Sequence, residues 1–251
     1  MPNYFTDCRG ALPGDSLSLS PEDARHAAAV LRKKKGDTLT IFDPDARCLR
    51  CEITGCTGGT VTLRVVADGV ADTEPHFFAT AYVALSKSDK LDDVVRQLTE
   101  LGISRICPFT SRYSVVKIDD VSAAKKQARW QKIALSAAQQ SGRAAVPEVT
   151  LPLSFKEAVA EAVTADVPLL FYEKYGSDMG HALTKTTQSL AFMTGAEGGF
   201  SEDEIALAKD AGMLISTLGR RILRCETAPV VAFSVLSYLL SEFTTIKENH
   251  A

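Results

Sequence analysis

Residues 190–204 read Leu-Ala-Phe-Met-Thr-Gly-Ala-Glu-Gly-Gly-Phe-Ser-Glu-Asp-Glu, an apolar run followed by a glycine-rich turn and an acidic segment. A short apolar run without alternation is typical of a strand covered on both faces of a parallel sheet. Ser201 with Glu204 three residues later forms a capping box, which predicts a helix directly after the turn. The order strand, turn, helix predicts an α/β fold.

The same pattern extends in both directions from this stretch. Further apolar runs predict strands at residues 79–85, 103–108, 167–172 and 214–218. Apolar periodicity and capping signals predict helices between them, at 88–101, at 122–140, after Ser154, after Ser201 and at 230–243 with Thr227 as N-cap. Strands that alternate with helices predict a mainly parallel sheet, which binds ligands at the carboxyl ends of its strands.

The first 72 residues follow a different pattern. Short β-branched and apolar runs at 39–42, 48–54 and 60–66 predict strands, and one helix is expected from the N-cap Ser20 to Leu31. This part is interpreted as a small β-barrel. We therefore expect two domains, residues 1–72 and 73–251, joined by a linker at 68–75.

The composition is that of a globular protein, since 45% of the 251 residues are hydrophobic and 24% are charged. The sequence contains no apolar stretch of about 18 residues and no signal-peptide pattern, so neither a membrane span nor export is expected. Six cysteines without an export signal are typical of reduced thiols, which predicts a cytoplasmic location.

The formal net charge of −3 argues at first against a nucleic-acid partner. However, residues 73–143 hold 11 Lys and Arg against 7 Asp and Glu, whereas residues 144–251 hold 8 against 14. Since local charge sets the field that a polyanion meets, the basic middle of the chain permits RNA binding.

Several familiar sites are excluded or disfavoured by the sequence. It contains neither a phosphate-binding P-loop motif nor the glycine fingerprint of dinucleotide-binding domains. Cys48 and Cys51 would point to opposite faces of a strand, so no metal site is expected there. None of the four histidines accompanies a Gly-x-Ser-x-Gly nucleophile motif, which disfavours a hydrolase triad.

Two loops remain as candidates for the functional site. The glycine turn, residues 195–199, would let a ligand lie directly against the backbone. The arginine loop, residues 219–227, precedes the last predicted helix. The helix dipole repels cations at that end, so three arginines there favour binding of an anion or orientation of Glu226 over a stabilising role.

These two loops carry a family resemblance. Gly195-Ala-Glu-Gly-Gly-Phe-Ser-Glu-Asp-Glu-Ile205 and Leu218-Gly-Arg-Arg-Ile-Leu-Arg-Cys-Glu-Thr-Ala228 resemble the signature loops of the ribosomal RNA small subunit methyltransferase E family, of the SPOUT class. Similar segments occur along nearly the whole chain, among them 98–103, 130–134 and 140–148. One departure is Ala196, where the family usually has proline.

The resemblance implies an N-terminal PUA-like β-barrel that binds RNA and a C-terminal α/β domain with a deep trefoil knot that forms a homodimer. The implied reaction transfers the methyl group of S-adenosylmethionine to N3 of a uridine in 16S rRNA of the small ribosomal subunit. Chain-connectivity rules alone would have predicted an unknotted sheet.

With this resemblance in view, we interpret the loops as follows. Arg224 is the first choice for stabilising the negative uracil, and Glu197 or Glu226 for orienting it or accepting its proton. An alternative for Glu226 is a plain ion pair with an arginine of its own loop. The cofactor is expected to contact Leu170, Phe171, Glu173, Gly195, Glu197, Gly198, Gly199, Leu218, Gly219, Ile222, Leu223, Arg224, Thr227 and Ala228.

Basic residues of both predicted domains are candidates for contacts to the RNA backbone. They are Arg9, Arg25, Arg32, Lys87, Lys90, Arg112 and Arg143. Two other functions stay open from the sequence. One is a catalytically silent RNA-binding protein on the same fold, and the other is a small-molecule enzyme that holds a phosphate in the glycine turn, which the charge of Glu197 opposes.

Overall fold

A computed structural model describes residues 3–57, 59–69, 71–86, 90–114, 119–184 and 186–243. The chain divides into two compact units. The first runs to Glu74 and also takes Ser136–Val146, and the second comprises Pro75–Leu135 and the chain from Pro147 onward. No helix in these described ranges is long and apolar enough to cross a membrane.

The first unit is built on a five-stranded sheet with the order β1-β3-β4-β5-β2. Its strands are β1 (Tyr4–Phe5), β2 (Ser16–Ser18), β3 (Thr38–Phe42), β4 (Cys48–Thr57) and β5 (Thr60–Asp68). Alternate residues of β5, namely Val61, Leu63 and Val65, are buried, as expected for a strand with one face toward a core. The three strands predicted here are confirmed.

One helical segment interrupts this sheet. Helix α1 (Pro21–Arg25) begins at Ser20, whose hydroxyl accepts a hydrogen bond from the Asp23 N–H at 3.1 Å. The segment continues as a π-helical turn (His26–Val30). Arg32 then takes φ +54°, which ends the helical path close to the predicted Leu31.

The second unit contains a mainly parallel sheet, which confirms the predicted α/β class. Its strands are β6 (Phe78–Ala84), β7 (Arg105–Thr110), β8 (Glu148–Val149), β9 (Leu153–Ser154), β10 (Val167–Phe171), β11 (Ser189–Thr194) and β12 (Leu214–Ser216). They follow the order β12-β10-β11-β6-β7-β8, with β9 also paired to β7, and every pair is parallel. The strands β10, β11 and β12 are therefore neighbours.

Five further helices accompany these strands within the described residues. They are α2 (Lys90–Glu100), α3 (Asp120–Ser141), α4 (Phe155–Ala162), α5 (Glu202–Asp210) and α6 (Ala228–Leu239). The capping boxes predicted at Ser154 and Ser201 both form, because each serine hydroxyl and the glutamate three residues later exchange hydrogen bonds with the backbone. The N-cap predicted at Ser88 for α2 lies outside the described residues.

The last helix differs from the prediction at both ends. Thr227 precedes α6, but it already has helical dihedral angles and its hydroxyl makes no capping bond. The helix ends at Leu239 instead of residue 243, because Ser241 takes φ +69° and donates to the Tyr238 carbonyl at 3.0 Å. Glycine usually occupies this left-handed position, so a serine there gave no stop signal.

Candidate active site

A cavity opens where β10, β11 and β12 end, at the edge where a parallel sheet binds ligands. Eleven of the predicted cofactor residues line it: Phe171, Glu173, Gly195, Glu197, Gly198, Gly199, Leu218, Gly219, Ile222, Leu223 and Ala228. The remaining lining residues are Tyr172, Thr194, Ala196, Phe200, Thr217, Arg221 and Cys225. The glycine turn and the arginine loop thus wall one cavity, as expected from the sequence.

Three predicted cofactor residues lie elsewhere. Leu170 does not line the cavity, since its side chain is 0% exposed and belongs to the core of the sheet. Its neighbour Phe171 points to the other face of β10 and reaches the cavity. Arg224 and Thr227 belong to the arginine loop but are not among the residues that line the cavity.

The glycine turn is closed by the Gly199 N–H, which donates to the Ala196 carbonyl at 2.9 Å. Gly199 needs φ +63°, which favours glycine. A Cβ on Gly195 would lie 3.1 Å from the Cα of Gly199, so the two backbones approach too closely for a side chain. Ala196, in the position of the family's usual proline, still supplies the carbonyl that closes the turn.

The residues after the turn anchor it to the core. Phe200 is buried and stacks on Phe109 of β7, with ring centroids 6.3 Å apart and planes at 1°. Ser201 caps α5 through its hydroxyl and the Glu204 carboxylate. The glycine turn is therefore anchored to the core by the residues that follow it, and its three glycines line the cavity.

Glu197 and Glu226 come together through Lys90, the first residue of α2. The Lys90 ammonium lies 3.0 Å from Glu197 Oε1 and 3.5 Å from Glu226 Oε2. These three residues belong to three separate segments of the chain. We call them the Lys90 cluster; it links the glycine turn to the arginine loop.

The electrostatics of the Lys90 cluster keep both carboxyl groups ionised. Burial disfavours the charged form of Glu197, but hydrogen bonds from its own backbone N–H and from Lys90 outweigh burial and lower its pKa. The pKa of Glu226 is also lowered, by hydrogen bonds from its backbone N–H and the Cys225 thiol and by Lys90. Both groups are thus ionised at neutral pH.

Cys225 lines the cavity and contacts the Lys90 cluster. Its Sγ donates to Glu226 Oε2 at 3.2 Å, and the Lys90 ammonium lies 3.7 Å away. Burial, and next the hydrogen bond to Glu226, raise the pKa of this thiol to about 11. The thiol therefore stays protonated and serves as a hydrogen-bond donor. It is not a strong nucleophile in this form, because the thiolate is the reactive species.

Arg224 is open to solvent. Its side chain is 85% exposed, and its Nη1 lies 3.9 Å from Glu226 Oε1. Glu226 therefore pairs more closely with Lys90 than with the arginine of its own loop, which was the alternative left open by the sequence. The Arg224 guanidinium is free to turn toward a substrate that enters from the solvent side.

The predicted RNA contacts have different environments. Arg9, Arg25, Arg32 and Arg112 are exposed, and Arg112 Nη1 pairs with Asp203 Oδ2 at 2.6 Å. Lys87 lies outside the described residues. Lys90 is turned toward the two carboxylates. The assignment of all of these to RNA stays a prediction.

The prediction for Arg143 is wrong. This residue is only 4% exposed, and its guanidinium forms an ion pair with Glu74 at 2.5 Å within the first unit. Glu74 also accepts the Ala144 N–H at 2.8 Å. A buried arginine held in this way cannot reach an RNA phosphate, and it ties the predicted linker to the end of α3.

The sequence did not reveal two residues of the cavity region. Lys90 was assigned to RNA, because its carboxylate partners stand more than 100 positions away and leave no local signal. Thr194 was interpreted only as a strand residue, yet it lines the cavity, and its hydroxyl has no hydrogen-bond partner among the described residues. Those residues contain no group of three or more His, Cys, Asp or Glu suited to a metal ion.

Comparison with known proteins gives matches over nearly the whole chain. Residues 73–237 match the family model of an RNA methyltransferase domain, and residues 19–66 match that of an RNA methyltransferase PUA domain. Ribosomal RNA small subunit methyltransferase E of Bacillus subtilis is 34% identical over 89% of this chain and 90% of its own length. The protein of the same name from Synechocystis is 30% identical, over 90% and 74%.

Solved structures of methyltransferases are also similar to this chain over nearly its whole length. Ribosomal RNA small subunit methyltransferase E from Neisseria gonorrhoeae, bound to S-adenosylmethionine, has a TM-score of 0.89 at 30% identity, covering 97% of this chain and 100% of the other. A putative methyltransferase from Legionella pneumophila, with bound S-adenosylmethionine, has a TM-score of 0.85 at 31% identity, covering 94% and 96%.

Proposed function

The chain belongs to the ribosomal RNA small subunit methyltransferase E family, and from this membership we propose that it methylates N3 of a uridine in 16S rRNA with S-adenosylmethionine as methyl donor. The observation that carries the proposal is that the glycine turn and the arginine loop wall one cavity at the carboxyl ends of β10–β12. The substrate would be 16S rRNA or the small ribosomal subunit, in the cytoplasm.

The cavity fits a ligand with polar groups and a flat apolar part. At the glycine turn, a Cβ on Gly195 or Gly199 would lie within 3.1 Å of neighbouring atoms, so glycine leaves a surface against which a ligand can lie. Leu218, Ile222 and Leu223 supply an apolar wall for an adenine ring.

Bound S-adenosylmethionine would supply an electrophilic methyl group. The chain itself must handle the proton of uridine N3, because the protonated nitrogen is a poor nucleophile. Glu197 and Glu226, both ionised in the Lys90 cluster, are the candidate acceptors or orienting groups. The exposed Arg224 guanidinium would stabilise the negative charge that develops on the uracil ring.

N3 lies on the Watson–Crick edge, so the uridine must be unpaired or flipped out before it reacts. Arg9, Arg25 and Arg32 of the first unit and Arg112 of the second are exposed cations that would hold the RNA backbone. Lys87 lies outside the described residues, Lys90 is turned toward the two carboxylates, and Arg143 is removed from this group because it is buried against Glu74.

Family membership also supports finer architectural proposals. We propose that the first unit is a PUA-like barrel, with the domain boundary near residue 72, and that the second unit carries a deep trefoil knot and forms a homodimer. The exposed apolar side chains of Val235, Tyr238 and Leu239 on α6 support a subunit interface, since water-exposed apolar patches mark contact sites.

Calorimetry with S-adenosylmethionine tests the central proposal. Binding at micromolar to submillimolar concentration supports it, and absence of binding up to millimolar concentration would sink it. Mass analysis of 16S rRNA from a strain that lacks the gene then identifies the base. A protein that binds the RNA but not S-adenosylmethionine would instead be a catalytically silent RNA-binding protein.

A further inference from the structure

A tight turn follows strand β7. The Ser114 N–H donates to the Ser111 carbonyl at 3.0 Å, and the Ser111 N–H donates to the Ser114 hydroxyl, also at 3.0 Å. These reciprocal bonds fix the backbone of residues 111–114. The two residues between the serines, Arg112 and Tyr113, are therefore presented by a defined turn.

The turn is also attached to the start of α5. The Arg112 N–H donates to Glu204 Oε1 at 2.7 Å, and the Arg112 guanidinium pairs with Asp203. Glu204 is the same residue that completes the capping box with Ser201. The turn after β7 and the glycine turn after β11 thus share one anchor.

Tyr113 lies directly against the glycine turn. A Cβ on Gly198 would lie 2.7 Å from the Cβ of Tyr113, a distance that real side chains do not adopt. Gly198 itself lines the cavity. Despite this close packing at its base, Tyr113 is 48% exposed, so part of its ring is open to solvent beside the cavity.

We propose that Tyr113 is a stacking platform for a base of the RNA substrate at the rim of the cavity. This inference rests on the proposed function. RNA bases that leave a helix are commonly stacked on aromatic side chains, which hold them without reading their sequence. A rigid turn lowers the entropy lost when the ring takes up a base, since little backbone freedom remains to be lost.

A purely structural role for Tyr113 would be to cover the glycine turn. Leucine separates the two roles, because it keeps an apolar side chain over Gly198 but has no aromatic face. Tyr175 is a control for the loss of an exposed aromatic ring, since it is 52% exposed and its ring packs on that of Tyr172 instead of on the glycine turn.

The first experiment compares Tyr113→Phe, Tyr113→Leu and Tyr175→Leu in methylation of small ribosomal subunits that lack the modification. We expect Tyr113→Leu to raise KM for the RNA substrate by roughly 5-fold to 100-fold, the range typical of loss of one stacked base. Tyr113→Phe should restore most of the affinity, and Tyr175→Leu should match wild type. S-adenosylmethionine affinity and Tm should stay the same in Tyr113→Leu.

Two results would overturn the inference. One is a Tyr113→Leu protein with wild-type KM, which would leave the ring as a cover for the turn. The other is a loss of S-adenosylmethionine affinity that accounts for the whole defect, which would place the ring in the cofactor site instead.

A second experiment does not depend on methyl transfer. Tyr113→Trp adds a fluorophore to a chain whose one natural tryptophan, Trp130, is buried. A single-stranded oligoribonucleotide should quench the added fluorescence by stacking. Quenching without S-adenosylmethionine binding would reject the proposed methyltransferase activity and keep the stacking platform, whereas no quenching at saturating oligonucleotide would reject the platform alone.

Discussion

The glycine turn and the arginine loop wall the same cavity, but they are built differently. The turn is closed by a backbone hydrogen bond and followed by buried Phe200 and Ser201. The arginine loop places Arg220, Arg221 and Arg224 in solvent. The turn therefore acts through its backbone shape and the loop through its side chains. We expect substitutions in the turn to lower S-adenosylmethionine affinity and substitutions in the loop to lower kcat.

Substitution of Arg224 gives the largest expected effect. Arg224→Ala should lower kcat roughly 10²- to 10³-fold, as removal of one charge-stabilising group from an active site does. Because the guanidinium is exposed, S-adenosylmethionine affinity and Tm should hardly change. Single-turnover kinetics and calorimetry measure the two quantities. Arg220→Ala, in the same loop, is the matched control, and its kcat should fall far less than that of Arg224→Ala. Equal losses of kcat in the two variants would show that only the total charge of the loop matters.

The opposite pattern is expected in the glycine turn. In Gly195→Ala the new Cβ meets the backbone of Gly199, which cannot move away without opening the turn. Overpacking of about 1–3 kcal/mol, if it falls on the bound state, would weaken S-adenosylmethionine binding by roughly 5-fold to 150-fold. Gly219→Ala is the comparison in the arginine loop: it meets open space at φ +97°, so backbone strain should show mainly as a lower Tm. Unchanged S-adenosylmethionine affinity in Gly195→Ala would contradict the role of the glycine turn as the surface that binds the ligand.

Substitution of Lys90 tests whether its ion pairs connect the glycine turn and the arginine loop. Lys90→Met removes the cation that Glu197 and Glu226 share, so the pKa of both carboxyl groups should rise. Because a proton acceptor must be ionised, the acid limb of the kcat profile should move to higher pH, with Lys90→Arg retaining the wild-type position. Arg224 at 3.9 Å and the Cys225 thiol remain as the other groups facing Glu226. An unmoved acid limb would show that neither carboxylate titrates in the reaction.

The smallest effect is expected outside both loops. Arg112→Ala removes one exposed cation, and each phosphate contact contributes about one unit to the slope of log affinity against log salt. RNA affinity should fall modestly and its salt slope should decrease by about one, with S-adenosylmethionine affinity unchanged. Filter binding at several salt concentrations measures this, and an unaltered slope would remove Arg112 from the RNA contacts.

Local signals in the sequence predicted the capping boxes and the glycine turn that position the site. Both Ser-x-x-Glu capping boxes formed where predicted, because their bonds join residues three positions apart. The glycine turn was recognisable for the same reason, since its shape depends on the glycines themselves. The cofactor residues along the cavity wall were assigned only with the family resemblance in view, and the order of strands in the sheet was not predicted.

Side-chain partners that are distant in sequence could not be predicted from the sequence. Arg143 looked like a loop cation, but its partner Glu74 stands 69 positions earlier and buries it. Lys90 likewise meets Glu197 at a separation of 107 positions. Leu170 was counted with the loop after β10, but it is still a strand residue, and the alternation of side chains turns it into the core.

The position of β12 at one edge of the sheet has a consequence for biosynthesis. Its neighbour β10 is made some 40 residues earlier, and the arginine loop follows β12, so one cavity wall emerges from the ribosome only after the other strands of the sheet. The central strands β6, β7 and β11 can pair before that point. The nascent chain would therefore hold a nearly complete sheet that does not yet retain a small ligand, and binding competence would arrive as a late, abrupt step.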